Sequence, residues 1–336
     1  MTTIRDIAHK VGLSVGTVSK AIRTPEKVSP ANLEKINAAV KELNYKPNML
    51  SQVFRTKKNN TIIVMVANLA NAYLIELVSA IERIAQAQGY EIMIADTRYD
   101  DEREKKYIEM VETSLALGVI NLRAYSPQQK YFPTANITAV SAGSSLHTPY
   151  PAVGIDNAKA AEDMARHLLS LGHRQIGLIT GQSFHAHTRD RKLGFLRAIA
   201  SAGAGTPIVA EGKFDFATGY TAAMRILEAA ARPTAIFCMN DLMAIGAIKA
   251  LNDNGLTVPG DISVAGFDDQ ACASYCIPAL TTVAQPVDAM AEAAMALFLA
   301  NLKKHSASAQ EPDATPENII LPHKLMVRDS TCKPRF

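Results

Sequence analysis

Two pairs of residues have the types and spacing that could support metal chemistry. His185 and His187 are separated by one position, and Cys272 and Cys276 lie four positions apart. Histidine nitrogen and cysteine thiolate are common zinc ligands, but a structural zinc site needs four of them, usually supplied as two close pairs. Neither pair is joined by further ligands at a recognisable spacing. The sequence therefore predicts no metal site and no cofactor, and we interpret the cysteines as buried or interface thiols.

Motifs of common enzyme classes are missing as well. The chain contains no Gly-x-x-x-x-Gly-Lys phosphate loop and no His-Glu-x-x-His zinc motif. Short stretches such as Gly143-Ser144-Ser145 and Asp100-Asp101 do not define a catalytic arrangement. We therefore expect a protein that is not an enzyme, and we keep an enzyme of doubly wound α/β fold as the alternative.

The composition is that of a globular protein with an uneven charge distribution. The 336 residues are 48% hydrophobic and 20% charged, which leaves room for two or three domains. Residues 1–60 contain 11 Lys and Arg against 4 Asp and Glu, whereas residues 61–336 contain 24 against 28. A basic segment on a mildly acidic body indicates that this segment binds a polyanion. Because no membrane-length apolar run and no signal-peptide core is visible, we expect a cytoplasmic protein with no membrane partner.

The spacing of apolar residues predicts three short helices within residues 4–43. The first ends at Gly12, the second is capped by Ser14, and the third begins at Ser29 with Pro30 in its first turn. Two short helices joined by a tight glycine-containing turn and braced by a third make a helix-turn-helix. In that motif, the first residues of the second helix contact base edges in the major groove of DNA. The residues expected to be buried are Ile4, Ile7, Ala8, Val11, Leu13, Val18, Ile22, Leu33, Ile36, Val40 and Leu43.

This segment resembles the headpiece of the lac-repressor/galactose-repressor family. The matching stretches are residues 3–8, 11–20, 28–29 and 42–48. Lys20 can donate to guanine acceptors and the methyls of Val15 can pack on a thymine methyl, so Lys20 is the predicted base contact. The resemblance implies base-reading positions at Val15, Gly16 and Lys20, and phosphate-facing positions at Ser14, Thr17 and Ser19. The DNA-binding residues are predicted to be Ser14, Val15, Gly16, Thr17, Ser19, Lys20, Asn48 and Phe54.

Residues 47–60 form a polar, basic linker ahead of the body. In the family that the headpiece resembles, this segment folds on DNA and places an apolar side chain in the minor groove. The family pattern there is Ala-Arg-x-Leu, and this chain has Ser51-Gln52-Val53-Phe54. The resemblance implies that Phe54 is the wedge, and Gln52 in place of Arg weakens the expected electrostatic contribution. A flexible tether without DNA contact is the alternative, which undiminished DNA binding by Phe54→Ala would support.

From residue 61 the pattern changes to alternating strands and helices. Short predicted strands such as residues 62–66, a β-branched run, and 263–267 alternate with apolar helical stripes, which is typical of parallel sheets covered by helices on both faces. The body resembles the two-lobed periplasmic-binding-protein fold that the repressor family joins to its headpiece. The stretches that carry this resemblance are residues 154–157, 171–177, 232–238, 240–247, 258–263 and 278–283.

The predicted fold class is α/β, with a helix-turn-helix headpiece and a two-lobed domain of doubly wound parallel sheets. The resemblance implies that the chain crosses between the lobes three times, near residues 156, 285 and 314. It also implies a trimmed N-lobe, because residues 123–133 are too few for the further helix that the family inserts there. The predicted domains are a headpiece at 1–46, a hinge at 47–60, an N-lobe at 61–155 and 286–313, and a C-lobe at 156–285 and 314–336.

The resemblance also implies a small-molecule site between the lobes, most like that of the cytidine, purine and ribose repressors. Parallel sheets of this kind bind ligands at the carboxyl ends of their strands. Asp268 follows such a strand and can accept two ligand hydroxyls, and Arg191 can donate in a fixed fork. Tyr73 and Phe214 can stack on a sugar face or a base. The effector-binding residues are predicted to be Tyr73, His185, His187, Arg191, Phe214 and Asp268.

These features predict a ligand-responsive transcriptional repressor. Two headpieces on a symmetric homodimer would read two half-sites of a pseudo-palindromic operator in double-stranded DNA. A nucleoside or sugar effector in the cleft would change the angle between the lobes and shift the population between two states. Two histidines near Arg191 leave a sugar acid or a similar small carboxylate as the alternative effector.

Overall fold

The computed structural model describes residues 2–45, 59–123, 137–143, 146, 148–306 and 317–335. The chain forms two compact units, residues 1–59 and residues 60–336. The predicted hinge residues Asn48, Gln52 and Phe54 lie outside the described residues, as do residues 124–133 of the predicted trimmed segment 123–133. No helix in the described part of the chain is long and apolar enough to cross a membrane.

The first unit is the predicted three-helix domain. Its helices are α1 (Ile4–Val11), α2 (Val15–Arg23) and α3 (Pro30–Glu42). Burial of one apolar stripe from each helix stabilises a domain of this size. The fully packed residues are Ile7, Ala8, Val18, Ala21, Ile36 and Ala39, and the partly buried ones include Ile4, Val11, Leu13, Ile22, Leu33, Val40 and Leu43.

Local capping chemistry explains where the first two helices begin and end. The Thr3 hydroxyl accepts the backbone N–H of Asp6, and the Asp6 carboxylate accepts the N–H of Thr3 in return, which is a capping box. Gly12 ends α1 with a φ of 65°, in the left-handed region that favours glycine. The Ser14 Oγ then accepts the backbone N–H of Thr17 at 3.1 Å and begins α2. The glycine stop and the serine cap are therefore where the sequence predicts them.

The second unit contains two parallel α/β sheets, which confirms the predicted fold class. The N-lobe sheet has the strand order β11-β5-β4-β3-β1-β2, and the C-lobe sheet has the order β7-β6-β8-β9. The N-lobe strands are β1 (Thr61–Val66), β2 (Glu91–Asp96), β3 (Gly118–Asn121), β4 (Thr138–Ala142), β5 (Ala152–Ile155) and β11 (Asn318–Leu321). The C-lobe strands are β6 (Ile176–Thr180), β7 (Ile208–Glu211), β8 (Ala235–Cys238) and β9 (Ser263–Ala265).

Helices cover the faces of both sheets and join consecutive strands. A separate antiparallel pair, β10 (Thr282–Ala284) and β12 (Lys324–Met326), lies where the chain passes between the lobes. The helices are α4 (Ala72–Ala87), α5 (Asp101–Glu112), α6 (Asn157–Ser170), α7 (Ala186–Ser201), α8 (Phe216–Leu227), α9 (Asp241–Asp253), α10 (Ala271–Tyr275) and α11 (Val287–Ser306).

The third crossing between the lobes lies later than the expected position near residue 314. Strand β11 pairs in parallel with β5, with Ile319 opposite Val153 and Leu321 opposite Ile155. Residues 318–321 therefore belong to the N-lobe sheet, and the chain crosses only between β11 and β12. The reason is that two β-branched residues at 319–320 extend the edge of this sheet. That edge strand is only partly buried, so its burial pattern is weak in the sequence.

Candidate functional site

The exposed face of α2 carries the predicted base-reading positions. Val15 is 43% exposed, and Gly16 and Lys20 are also exposed. Nothing in the core of the unit uses these side chains. The Thr17 hydroxyl lies 2.9 Å from the Ser14 hydroxyl at the start of the helix. Ser14 and the first two turns of α2 therefore present a methyl pair, two hydroxyls and an ammonium group to solvent.

Ser19 differs from its expected position facing a phosphate. Its side chain is 5% exposed and lies on the packed side of α2. The guanidinium of Arg23, one helical turn further on, donates to the Ser19 hydroxyl and to its carbonyl oxygen. Sequence reasoning missed Arg23, although its i+4 spacing from Ser19 is the signal that could have indicated the pair. Arg23 therefore lies exposed in the last turn of α2, next to the buried Ser19 hydroxyl.

A cleft in the second unit brings together five of the six predicted effector-binding residues. It encloses about 480 Å³ of free space, including solvent at its mouth, within the range of small-molecule sites. Its walls come from the carboxyl ends of strands in both lobes and from the first turns of α4 and α7. The lining residues are Ala67, Asn71, Tyr73, Leu74, Tyr99, Leu122, Gly143, His187, Arg191, Phe214 and Asp268.

Arg191 is the best-fixed group in the cleft wall. Its Nε donates to the Asn157 side-chain oxygen at 2.8 Å, and its Nη1 donates to the Met239 carbonyl at 2.6 Å. The guanidinium lies 3.6 Å from the centre of the Phe267 ring, and its Nη2 is 3.6 Å from the carboxylate of Asp268. Arg191 is 4% exposed. Because the group is buried and bonded on three sides, it is held ready to present its remaining N–H donors to a ligand.

Asp268 connects the C-lobe wall to the N-lobe through two further side chains. Its Oδ1 accepts the Gln285 amide at 2.8 Å, and the Tyr73 hydroxyl donates to the Gln285 side-chain oxygen at 3.1 Å. Tyr73 begins α4 of the N-lobe, whereas Asp268 follows the C-lobe strand β9 with a φ of 108°. A non-glycine residue in that backbone region is strained, which is common at binding sites. The three side chains therefore form a hydrogen-bonded bridge across the cleft.

A cluster of aromatic rings lies at one side of the cleft. The rings of His187 and Phe214 are 5.4 Å apart, and the rings of His185 and His187 stack at 5.2 Å with planes 12° apart. His185 does not line the cleft directly but lies behind His187, where it contacts Tyr99 and Phe214. No group of three potential metal-ligating side chains is present among the described residues. The histidines therefore belong to an aromatic cluster.

Burial changes the protonation of the groups in this cleft. Burial, with nearby Arg123 and Arg189, lowers the pKa of His185 to about 4, and burial lowers the pKa of His187 well below its usual range. Both imidazoles are therefore neutral at pH 7. Burial raises the pKa of Asp268 to about 6, although Arg191 and the Gln285 amide oppose that rise. The carboxylate is mostly ionised at neutral pH and pairs with Arg191.

Sequence reasoning missed several residues that complete the cleft. Tyr99 follows the carboxyl end of strand β2, and Gln285 follows β10, so position after a strand end is the signal that could have found both. Asp241, at the start of α9, is fully buried. Its carboxylate accepts the Thr282 hydroxyl at 2.6 Å and the Gln270 backbone N–H at 2.7 Å. Asp241 thus joins β10 to the segment that presents Asp268.

A helix-turn-helix unit followed by a two-lobed α/β unit with a polar interlobe cleft defines a class of DNA-binding regulators that respond to a small molecule. Comparison with known proteins gives the family. Residues 3–48 match the description of bacterial regulatory proteins of the lacI family, and residues 165–331 match the periplasmic binding protein-like domain.

Individual relatives extend the match over the whole chain. The HTH-type transcriptional repressor CytR of Escherichia coli (strain K12) is 31% identical over 338 residues, covering 98% of this chain and 96% of the relative. The HTH-type transcriptional repressor PurR of Pectobacterium carotovorum subsp. carotovorum (strain PC1) is 33% identical over 307 residues, covering 89% of this chain and 90% of the relative.

A solved structure agrees with these relatives. The crystal structure of the lac repressor dimer bound to operator and the anti-inducer ONPF matches with a TM-score of 0.84 and 28% identity, covering 98% of this chain and 99% of that chain. The chain therefore belongs to the lacI family of bacterial regulatory proteins. It is a ligand-responsive, DNA-binding repressor and not an enzyme.

Proposed function

We propose that the effector is a neutral, hydroxylated small molecule, a nucleoside or a sugar, bound between the two lobes. The observation that carries the proposal is the buried pair of Arg191 and Asp268, which converges on the cleft and continues through Gln285 to Tyr73 of the other lobe. A carboxylate beside a fixed guanidinium offers adjacent acceptors and donors, which suit two neighbouring hydroxyls.

The same arrangement supports a mechanism for the response. Two ligand hydroxyls on Asp268 compete with the amides of Gln285 and Gln270, which contact this carboxylate at 2.8 and 3.5 Å. Loss of the Gln285 contact weakens the bridge to Tyr73, so the bound and free proteins favour different angles between the lobes. A ligand that binds one of these states more tightly shifts the population toward it.

The charges of the cleft favour a neutral effector over the alternative sugar acid. Arg191 is the one cation among the described residues that line the cleft, and Asp268 already pairs with it. The neighbouring histidines are neutral because burial lowers the pKa of each imidazole. A carboxylate ligand would meet the negative charge of Asp268 without a free cation to balance it.

We further propose that the protein acts as a homodimer on a pseudo-palindromic operator. The exposed Lys20 and Val15 on each α2 would contact base edges in one half-site, and Ser14 and Thr17 would contact phosphates. The lac repressor dimer bound to operator, to which this chain is similar, supports this arrangement. Gly16 has no side chain and allows the helix backbone to approach the groove closely.

The effector is tested by isothermal titration of the full-length chain with a panel of ribonucleosides, pentoses, hexoses and sugar acids. We expect a neutral member of the panel to bind, and Asp268→Asn to abolish the heat while preserving the volume of the side chain. Lys213→Ala, an exposed neighbour of the cleft residue Phe214, is the control. Binding restricted to sugar acids, or unchanged binding by Asp268→Asn, would contradict the proposal.

The operator is tested by selecting duplexes from a randomised pool with the full-length chain, with and without the effector. We expect enrichment of a two-fold symmetric site and a change in affinity when the effector is added. Binding without sequence preference that disappears with added salt would reduce the interaction to phosphate contacts.

A further inference from the structure

We infer that the effector carries a flat, uncharged ring beside its hydroxyls, and that Tyr99 selects for that ring. The inference rests on the proposed function of the cleft and defines its ligand more narrowly. It follows from the chemical difference between the two walls, from the aromatic rings that both lobes contribute, and from the charges around those rings.

The two walls of the cleft offer different chemistry. The C-lobe wall presents the Arg191 and Asp268 side chains. Among the described residues, the N-lobe wall is formed largely by carbon, and the hydroxyl of its Tyr73 lies within hydrogen-bond distance of the Gly143 carbonyl and the Gln285 side-chain oxygen. The oxygen of Asn71 is likewise bonded to the Tyr73 backbone N–H. The apolar lining residues of this wall are Ala67, Leu74 and Leu122, which are 3%, 8% and 1% exposed.

This asymmetry disfavours a ligand with hydroxyls on every side. A free pentose or hexose between the walls would press hydroxyls against Leu74 and Leu122, where they lose their bonds to water and find no partner in these two apolar side chains. A ligand with hydroxyls at one end and an apolar ring at the other satisfies both walls.

Tyr99 brings an aromatic ring from the N-lobe to the C-lobe side of the cleft. Its ring is 5.2 Å from that of His185 and 5.9 Å from that of Phe184, and its hydroxyl lies 3.3 Å from the His185 Nε2. Arg98 and Tyr99 have φ values of 52° and 58°, a left-handed turn that non-glycine residues seldom adopt. On the other side, the guanidinium of Arg123 lies 5.5 Å from the Tyr99 ring. A strained turn and two sets of contacts thus hold this ring in place.

Phe214 lines the same cleft but belongs to the C-lobe, whereas Tyr99 belongs to the N-lobe. Its backbone is also left-handed, with a φ of 64°. A Cβ on Gly181 would overlap the Phe214 ring, so the bare backbone of this glycine gives the ring its place. Tyr99, His187 and Phe214 therefore line one cleft with ring surfaces from both lobes, the arrangement that stacks on a planar ligand.

The charges around these rings define the ring that fits. Burial, together with nearby arginines, lowers the pKa of both His185 and His187, so the imidazole rings beside the ligand carry no charge. Among the residues that the structure describes, no side chain or backbone group hydrogen-bonds to the ring nitrogens of His187. A neutral imidazole has one donor and one acceptor, which suits the polar edge of an uncharged heterocycle.

The test compares ring-bearing ligands with the matching free sugars. Full-length wild type, Tyr99→Ala and Tyr99→Phe are titrated with ribonucleosides, with nitrophenyl glycosides, and with ribose, glucose and galactose. We expect Tyr99→Ala to weaken a ring-bearing ligand about 10-fold or more and to leave the free sugar unchanged. Tyr99→Phe keeps the ring and should bind like the wild type. The nucleoside and nitrophenyl arms distinguish the two sources of a flat ring.

Gly181→Ala is a second variant that moves the opposite ring without touching Tyr99. We expect it to weaken ring-bearing ligands and not free sugars, because the added methyl displaces Phe214. Equal losses for both ligand types in Tyr99→Ala, or free sugars that bind as tightly as their ring-bearing derivatives, would overturn the inference and leave the proposed cleft intact. If Asp268→Asn weakens no probe, the proposed function fails instead.

Discussion

The proposed recognition residues of the headpiece and those of the cleft differ in how much they contribute to the stability of the fold. In the headpiece, packing uses residues such as Val18 and leaves Val15 and Lys20 exposed for DNA. In the cleft, Arg191 and Asp268 are buried and take part in the hydrogen bonds that hold the lobes. The proposed roles therefore make recognition separable from stability in the headpiece, whereas in the cleft the same groups would support both.

The largest expected effect on stability and effector binding comes from removing the Arg191 side chain. Arg191→Ala leaves Asp268 as a buried charge without its partner and frees the Asn157 and Met239 acceptors. We expect a fall of about 3–5 kcal/mol in the free energy of unfolding of the two-lobed unit, together with loss of effector binding. Urea denaturation followed by circular dichroism measures the first effect and titration measures the second.

The control for this variant lies next to it on α7. Lys192 is exposed, and Lys192→Ala should leave both stability and effector binding unchanged. If Arg191→Ala lost effector binding and kept full stability, binding and stability would be separable in the cleft as they are expected to be in the headpiece. The proposed difference between the two regions would then be wrong.

The sequence predicts a region well when its interacting residues lie close together along the chain, and poorly when they lie far apart. In the headpiece, Gly12 and Ser14 act within a few positions, so helix ends were predictable from local chemistry. The contact that holds Ser19 is equally local, because its hydroxyl is bonded by Arg23 four positions later. The helix ends and the core of this unit could therefore be predicted without a structure, and its DNA contacts stay predictions.

The cleft was predictable only where a residue follows a strand or matches a family position. The bridge from Tyr73 to Gln285 joins residues 212 positions apart, and Tyr99 meets His185 across 86 positions. Periodicity carries no information about such pairs, because they depend on how two lobes face each other. Edge strand β11 was missed for a related reason, since an edge buries only part of each side chain.

The titration of Asp268 gives the next largest effect. Burial raises its pKa to about 6 in the folded chain, whereas an unfolded chain ionises near about 3.9. The folded state therefore holds this proton more tightly, and the contribution to stability, complete below about pH 4, is lost as pH rises through about 6. We expect the free energy of unfolding of the wild type, relative to Asp268→Asn, to fall by about 2 kcal/mol between about pH 4 and about pH 7.

Urea denaturation of both proteins at intervals across this pH range measures that difference. A flat difference profile would mean that Asp268 ionises as it does in water, and that the cleft does not use a buried carboxylate. Taking the difference between the two proteins removes the titration of every other group that they share.

Lys20→Ala tests the separation of function from stability in the headpiece. The ammonium lies on the exposed face of α2, so its removal should weaken binding to a selected operator half-site by about 1–3 kcal/mol. The free energy of unfolding should change by less than about 0.5 kcal/mol, as for other surface substitutions. Lys35→Ala, which removes an equal charge from the exposed side of α3, should weaken operator binding less. Equal losses of operator affinity in Lys20→Ala and Lys35→Ala would indicate that Lys20 contacts a phosphate and not a base.

The smallest expected effect comes from the converse substitution, which changes the stability of the headpiece and leaves the exposed face of α2 unchanged. Thr3 accepts the Asp6 N–H at the start of α1, and Thr3→Ala should lower headpiece stability by about 1 kcal/mol. Because α2 and its exposed side chains are unchanged, operator affinity should hold at temperatures where the headpiece stays folded and fall only as it melts. Thr3→Ser restores the hydroxyl and should restore the melting temperature. A loss of operator affinity at low temperature would show that headpiece recognition depends on its fold as closely as the cleft does.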